Sequence, residues 1–450
     1  MPLFNLDLHA HSRSAMGTRK GTSLSLEAVT TACSDYKGIN IVGTGDCHFK
    51  PWFKEIQERL QSNDEWPGIL FSPSNPAVGF ILQTEVIFTA NCEGKRKQAH
   101  SIILFPDFDT VNSFRGLLKK WGVKYEAIPR PYIKCKTKDD VSSRVVEIIE
   151  IDDTIEFIPA HIMTPTGVFG SNVRINWLED FFGEAEREIH AVETGLSADP
   201  QILSMIPELD NRALISNSDA HCADLHRLGR EFFSINVKDF RYDRIVNSIR
   251  NDEIVRTAEF PPEEGRYFLT GHRAARWLPK KRLSKKKHKN WHSEDEFCLF
   301  SPHKIPGGDL CPICHRKLTV GVLQRAFELC RAQGEPERTL KRLNIDKRPF
   351  KTMIPLVEVI AVSLGIKNPM AKRVVSEYKK IVELFGSEAQ FWFHPEPRSN
   401  LESISPDLAQ DLLQVHAGKF NFWPPGFDGT YGSLSIGHRR NYLDISIIIK

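Results

Sequence analysis

Nine side chains in the first half of this 450-residue chain are of the types that gather divalent cations. His9 and His11 stand one residue apart in LDLHAHS, and Asp46 and His48 do the same in GTGDCHF. Glu85 in TEV, His100 in AHS and His161 in PAHIMTP follow, and Asp219 and His221 complete the set in NSDAH. Imidazole together with carboxylate suits Zn, Mn, Mg or Fe, and a carboxylate lets one ligand bridge two ions. A single histidine at a strand end is more often structural, but an ordered set of three pairs, a glutamate and two further histidines points to one shared site. Two or three cations in such a site would activate water for attack on phosphorus, so no serine or cysteine nucleophile is required. On that reading Cys47, Cys222 and Ser12 are packing or structural residues. His9, Asp219 and His221 are the residues read as catalytic, and in the second motif either Asp46 or His48 can be the ligand.

The elements that must position these residues are legible as alternating short apolar runs and helical patterns up to about residue 260. Strands are expected at FNLDLH, INIVGTGD, VGFILQTEVIF, HSIILFP, EFIPAHI, HAVETG, ALISNSDAH and FFSINV. Helices are expected at SLEAVTTACSDY, PWFKEIQERL, TVNSFRGLLKKWG and FRYDRIVNSIRN. Repeated strand–helix units imply an α/β fold with a parallel sheet, and seven or eight of them a barrel, with chemistry at the C-terminal ends of the strands. Residues one apart in an extended strand face opposite ways, yet at a strand end the backbone turns, so both members of an H-x-H or D-x-H pair can reach one cluster.

The whole chain carries a net charge of +3. That figure conceals a division, because residues 1–265 are net −10 and residues 266–450 net +13. A basic half joined to an acidic half points to a polyanionic partner. The basic run Lys280, Lys281, Arg282, Lys285, Lys286, Lys287 suits a phosphate backbone, with Trp277 and Trp291 on either side as candidates for stacking on bases. No run of 18 uncharged apolar residues exists, and MPLFNLDLHAHS lacks the features of a secretory leader. Nine cysteines, odd in number and mostly scattered, speak for a reducing cytoplasm. Only Cys298, Cys311 and Cys314 cluster. With His303 they form a candidate structural zinc site, and His292 and His315 are alternatives to His303. Helical patterns follow at 354–364 and 371–385. The tail is aromatic, and Phe422, Trp423, Phe427 and Tyr431 are candidates to line a base pocket.

In order, DLHAHS, GTGDCH, TEV, AHS, PAHIMTP and NSDAH resemble the motifs of the polymerase-and-histidinol-phosphatase (PHP) metallohydrolases. That resemblance implies a distorted (β/α)7 barrel over residues 1–262 that holds two or three metal ions and hydrolyses phosphoesters. It carries ligation onto His9, His11, Glu85, His100, His161, Asp219 and His221. Beyond the barrel, KLTVGVLQRAFELC, RPFKTMIPLVEVIAVSLG, AKRVVSEYKKIVELFGSE and PPGFDGTYG closely resemble the C-terminal part of the endonuclease Q family. The combined resemblance implies a metal-dependent DNA endonuclease acting on double-stranded DNA, cutting 5′ of uracil, hypoxanthine, xanthine or an abasic site. It divides the chain into the barrel, a basic linker (263–292), a zinc-binding segment (293–320) and a C-terminal helical domain for DNA and lesion recognition (321–450). It also implies a cytoplasmic protein, nucleoid-associated if prokaryotic. Two other readings stand beside it. One is a small-molecule phosphoesterase of the histidinol-phosphatase kind, which would not need the basic, cysteine-bearing half. The other is a DNA-binding protein with a degenerate barrel, which the nearly complete ligand set argues against.

Overall fold

A computed structural model describes residues 2–15, 24–273, 292, 296–335, 338, 348–437 and 442–449. The run LFNLD forms the strand Leu3–Asp7, exposed at its start and buried at its end. It lies inside a sheet, parallel to Ile41–Gly43 on one side and antiparallel to Phe232–Asn236 on the other. Ile41–Gly43 pairs in parallel with the long strand Asn75–Cys92. That strand is antiparallel to Lys95–Phe105, which in turn is antiparallel to Glu156–Pro159. Ala191–Glu193 and Ala213–Ile215 form a separate parallel pair. Leu6, Ile41, Ile81, Ile102, Ile158, Ala213 and Phe233, each from a different strand, pack into one apolar core. At about 1.5–3 kcal/mol for each large aliphatic or aromatic side chain, this layer fixes which way these seven strands face.

The observed sheet is mixed rather than parallel, and the reason is local. Glu93 and Gly94 both have positive φ (50° and 72°), the conformation of a two-residue hairpin turn. A turn that short can only return the chain antiparallel, so Asn75–Cys92 and Lys95–Phe105 become a hairpin with no helix between them. The edge of the sheet is completed from far along the chain, where Phe350–Thr352 pairs in parallel with Ile254–Glu259.

The second half packs onto the first through buried polar contacts as well as apolar ones. The helices Leu356–Ser363, Lys372–Phe385 and Glu388–Phe393 bring Glu388 against Lys37 at 2.6 Å, with both side chains fully buried. The Leu356 N–H and the Tyr378 hydroxyl donate to the same carboxylate. Gly38 (φ 74°) makes the approach possible, since a Cβ there would lie 2.4 Å from the Ser387 hydroxyl. Thr270–Arg273, Phe297–Phe300 and Ser446–Ile449 form a small antiparallel sheet. Among the described residues no helix is long and apolar enough to cross a membrane.

Candidate metal centre

The donors converge because the chain turns sharply at three strand ends. Asp46, His161 and Asp219 all have positive φ (41°, 31° and 47°), which is unfavourable for residues other than glycine and persists where surrounding contacts impose it. The first and last motifs are tied together, since the His11 N–H donates to Ala220 O (3.0 Å) and the Ala220 N–H to His9 O (3.3 Å). Gly45 (φ 66°) lets the second motif pass against the first, because a Cβ would meet Ala10 O at 2.7 Å.

Two groups of donors result. His9, His11 and Asp219 offer ligand atoms within 4.8 Å of one another, and Glu85, His100 and His161 do the same. His11 Nε2 is 3.0 Å from Asp219 Oδ1 and 3.5 Å from Glu85 Oε2, so Glu85 lies beside both groups. Glu85 and His100 share a face of the hairpin, His100 standing diagonally across from Glu85, with Nδ1 2.5 Å from Oε1. His161 Nε2 lies 3.3 Å from the same oxygen. Arg130 closes the group with its Nη1 2.8 Å from Glu85 Oε2.

Hydrogen bonds outside the cluster turn imidazole nitrogens into it. His9 Nδ1 donates to Glu193 (3.0 Å), His161 Nδ1 to the Thr164 hydroxyl (2.8 Å) and His221 Nδ1 to Asp219 O (2.9 Å). In the neutral ring each bond leaves Nε2 as the lone-pair nitrogen, the arrangement in which a carboxylate or carbonyl orients a metal-binding histidine. His9 Nε2 is buried without a hydrogen-bond partner. Glu193 is itself held by the His161 N–H (2.7 Å) and Asn217 Nδ2 (2.9 Å). Burial alone would depress the imidazoles of His9 and His11. Glu193 and Asp219 outweigh it at His9 and raise that group to about 9, while Asp219 and Asp46 raise His11 to about 10. Burial would push the Asp219 and Glu85 carboxyls up, yet His9 and His11 hold the first well below the usual range, and His100, His161 and Arg130 the second. Protons thus supply the counter-charge that cations can replace, and the donor set fits divalent ions.

The two members of the second motif separate. Asp46 accepts from the Ser12 N–H (2.8 Å) and hydroxyl (2.6 Å) and lies 3.4 Å from His11 Nδ1. His48 instead bonds the Thr84 hydroxyl (2.6 Å), packs edge-on against Phe114 and is lowered to about 4 by burial. Sequence reasoning did not single out Glu193 and Arg130. Glu193, the lone acid ending the apolar run AVE, was the detectable one.

A second donor group lies in the small sheet. His272, His292, Cys311 and Cys314 come within 4.8 Å of one another, and Cys298 Sγ is 3.6 Å from Cys311 Sγ. The two imidazoles place ring nitrogens 3.1 Å apart, with His272 Nδ1 3.3 Å from Cys314 Sγ and His292 Nε2 3.1 Å from Cys311 Sγ. His292 Nδ1 donates to Glu296 O, aiming Nε2 inward. Burial opposes ionisation of Cys311, but the backbone N–H groups of Cys314 and Ile313, with the His272 and His292 rings beside the sulfur, prevail and bring the thiol down to about 6. The set suits zinc. His303 stands elsewhere, against the Phe327 ring, and His272 joins a group that the cysteine spacing did not reveal. The basic run at Lys280, Lys281, Arg282, Lys285, Lys286 and Lys287, with Trp277 and Trp291, lies outside the described residues. In the tail Phe422 and Phe427 are buried, whereas Trp423 and Tyr431 are exposed.

No protein-family model matches the chain. A lesion-specific endonuclease Q from Pyrococcus furiosus has a similar structure, with a TM-score of 0.75, 27% identity, and 97% of this chain and 96% of that one covered. An endonuclease Q bound to a 27-mer duplex with an abasic lesion at its active site gives a TM-score of 0.76 at 27% identity, covering 97% of each chain. An uncharacterized protein of Methanocaldococcus jannaschii is 30% identical over 249 residues, which make up 54% of this chain and 28% of that relative, so the match spans well under half the relative's length. The likeness to endonuclease Q therefore runs through nearly the whole chain, in a mixed α/β fold.

Proposed function

We propose that this chain, similar to endonuclease Q from end to end, is a metal-dependent DNA repair endonuclease that hydrolyses the phosphodiester 5′ of deaminated bases and abasic sites in duplex DNA. One observation carries the reading, namely two donor groups meeting at Glu85 in a chain that superposes on a lesion-specific endonuclease over 97% of its length. In this reading residues 1–262 are the catalytic barrel and residues 321–450 recognise DNA and lesion, with the basic run 280–287 along the phosphate backbone. His9, His11 and Asp219 hold one cation, and Glu85, His100 and His161 another, with Asp46 and His221 beside the first group. Bound divalent ions supply an activated water and neutralise charge on the phosphoryl and leaving oxygens. Glu193 fixes the His9 tautomer, and Asn217 fixes Glu193. His221, partly exposed at the rim with Nε2 as its lone-pair nitrogen, is a further ligand for the first cation. His272, His292, Cys311 and Cys314 hold one structural zinc, with Cys298 as a neighbouring thiol.

The test is a panel of duplexes carrying uracil, hypoxanthine, xanthine, an abasic site or no lesion, with the cut position mapped. Nicking 5′ of the lesion, abolished by chelator and by His9→Ala, is the expected outcome. Lesion strands left intact with saturating Mn, Mg or Zn at low salt would overturn the proposal.

A further inference from the structure

We propose that Arg130 is a catalytic residue that binds the non-bridging oxygens of the scissile phosphate, an inference that rests on the phosphodiesterase reading above. Its position is built rather than incidental. It sits between Pro129 and Pro131, both buried, and Pro131 O accepts from the Ile87 N–H at 2.9 Å. Tyr132–Lys134 continues as a strand parallel to Ile87–Thr89. The segment is thus stitched to the strand that carries Glu85, and the two prolines restrict its backbone.

The guanidinium reaches the cluster with Nη1 2.8 Å from Glu85 Oε2, and its side chain is 17% exposed. Glu85 is its one partner among the described residues. Glu85 has other side-chain partners as well, since His100 (2.5 Å), His161 (3.3 Å) and His11 (3.5 Å) surround that carboxylate. A guanidinium is costly to bury, and this one is placed against a carboxylate of the donor cluster. With Glu85 engaged by a cation, the remaining N–H donors of its fork would stand beside the cluster, free of another partner among the described residues. That fork matches two oxygens of a phosphate, on which charge builds during phosphoryl transfer.

The experiment compares wild type, Arg130→Ala and Arg130→Lys on two substrates, an abasic duplex and bis(4-nitrophenyl) phosphate, with metal per chain determined on the same samples. A phosphate contact predicts that Arg130→Ala lowers kcat by about 10²–10³-fold on either substrate, the scale of a lost transition-state donor. Arg130→Lys should lose less, methylguanidinium should partly restore Arg130→Ala, and metal content should match wild type. Wild-type rates in Arg130→Ala would overturn the inference. So would a loss of metal that accounts for the lost activity and is cured by excess metal, since Arg130 would then only position Glu85. Wild type that cleaves the simple diester but not the duplex would refute the repair reading while still deciding the role of Arg130. Cleavage of neither would refute both.

Discussion

Two groups of metal-type donors lie in one chain and are built on opposite plans. The cluster of His9, His11, Glu85, His100, His161 and Asp219 uses nitrogen and oxygen, draws its six donors from five strands or strand ends, and is held by bent backbone and outer hydrogen bonds. Its rim stays open, with the Asp219 and His221 side chains 26% and 30% exposed. The knuckle of His272, His292, Cys311 and Cys314 uses sulfur and nitrogen, and its cysteines are buried with Phe300 and Leu318 in a small core of their own. Borderline donors around an accessible rim leave room for a substrate, whereas soft donors in a closed shell leave none. In the proposed function that difference is the one between a place for chemistry and a device that holds a small sheet together.

The strongest way to break this contrast is at Asp219. Asp219→Asn should cut lesion cleavage by at least about 10³-fold, on the scale of preorganised electrostatic groups, while the melting temperature measured in chelator changes little. A large loss of stability with activity retained would reverse the roles of the two groups. The matching change in the knuckle is Cys311→Ser. It should remove one zinc per chain and raise hydrogen exchange across 297–320, because structural zinc in small modules supplies about 10 kcal/mol or more of folding energy. Hydrolysis of a simple diester should survive it. If that hydrolysis vanished while 297–320 stayed protected, the knuckle would belong to the chemistry.

The reach of sequence into these two groups differs for a physical reason. Paired motifs such as HAH and SDAH are local, and a polar pair ending an apolar run signals a strand end whatever the rest of the chain does. The partners that orient them are not local. Glu193 meets His9 across 184 residues, and Arg130 reaches Glu85 from a loop with no periodicity of its own. His272 stands 42 residues from Cys314, which hid it from any reading based on cysteine spacing. The same holds for the fold. The strand between Asn75 and Cys92 was legible from its apolar run, but its antiparallel return depended on two positive φ values at Glu93 and Gly94. Phe350–Thr352 joins a sheet whose other strands lie about a hundred residues or more earlier, and no local pattern announces that partnership.

A subtler change sharpens the account of the cluster. Glu193→Gln keeps a hydrogen-bond acceptor for His9 but removes the charge that raises its basicity. Metal affinity should fall by about 10–100-fold, the usual cost of altering a group that orients a ligand, and excess metal should restore most of the activity. Unchanged affinity in a metal titration would show that Glu193 serves only the packing around Asn217 and the His161 N–H.

The smallest expected effect lies at the joint between the two halves. The helix Val322–Ala332 is followed by Gln333, whose side chain donates to Asn176 O at 2.7 Å and accepts from the Glu208 N–H at 3.0 Å. Glu208 also accepts from the Leu178 N–H at 3.0 Å, but burial outweighs these bonds and raises its carboxyl to about 7. A carboxyl that binds its proton more tightly when folded than when unfolded stabilises the fold only while protonated. Its contribution is complete below the unfolded value near 4.5 and is lost as pH rises through about 7. Wild type should therefore lose about 2 kcal/mol more stability over that interval than Glu208→Gln does, as denaturant melts of both at pH 4.5 and 8 would report. Because this joint touches neither donor group, cleavage of a simple diester should be the same in both proteins at pH 8. If the variant changed that rate, the joint would couple the basic half to the cluster, and the two groups would no longer be independent.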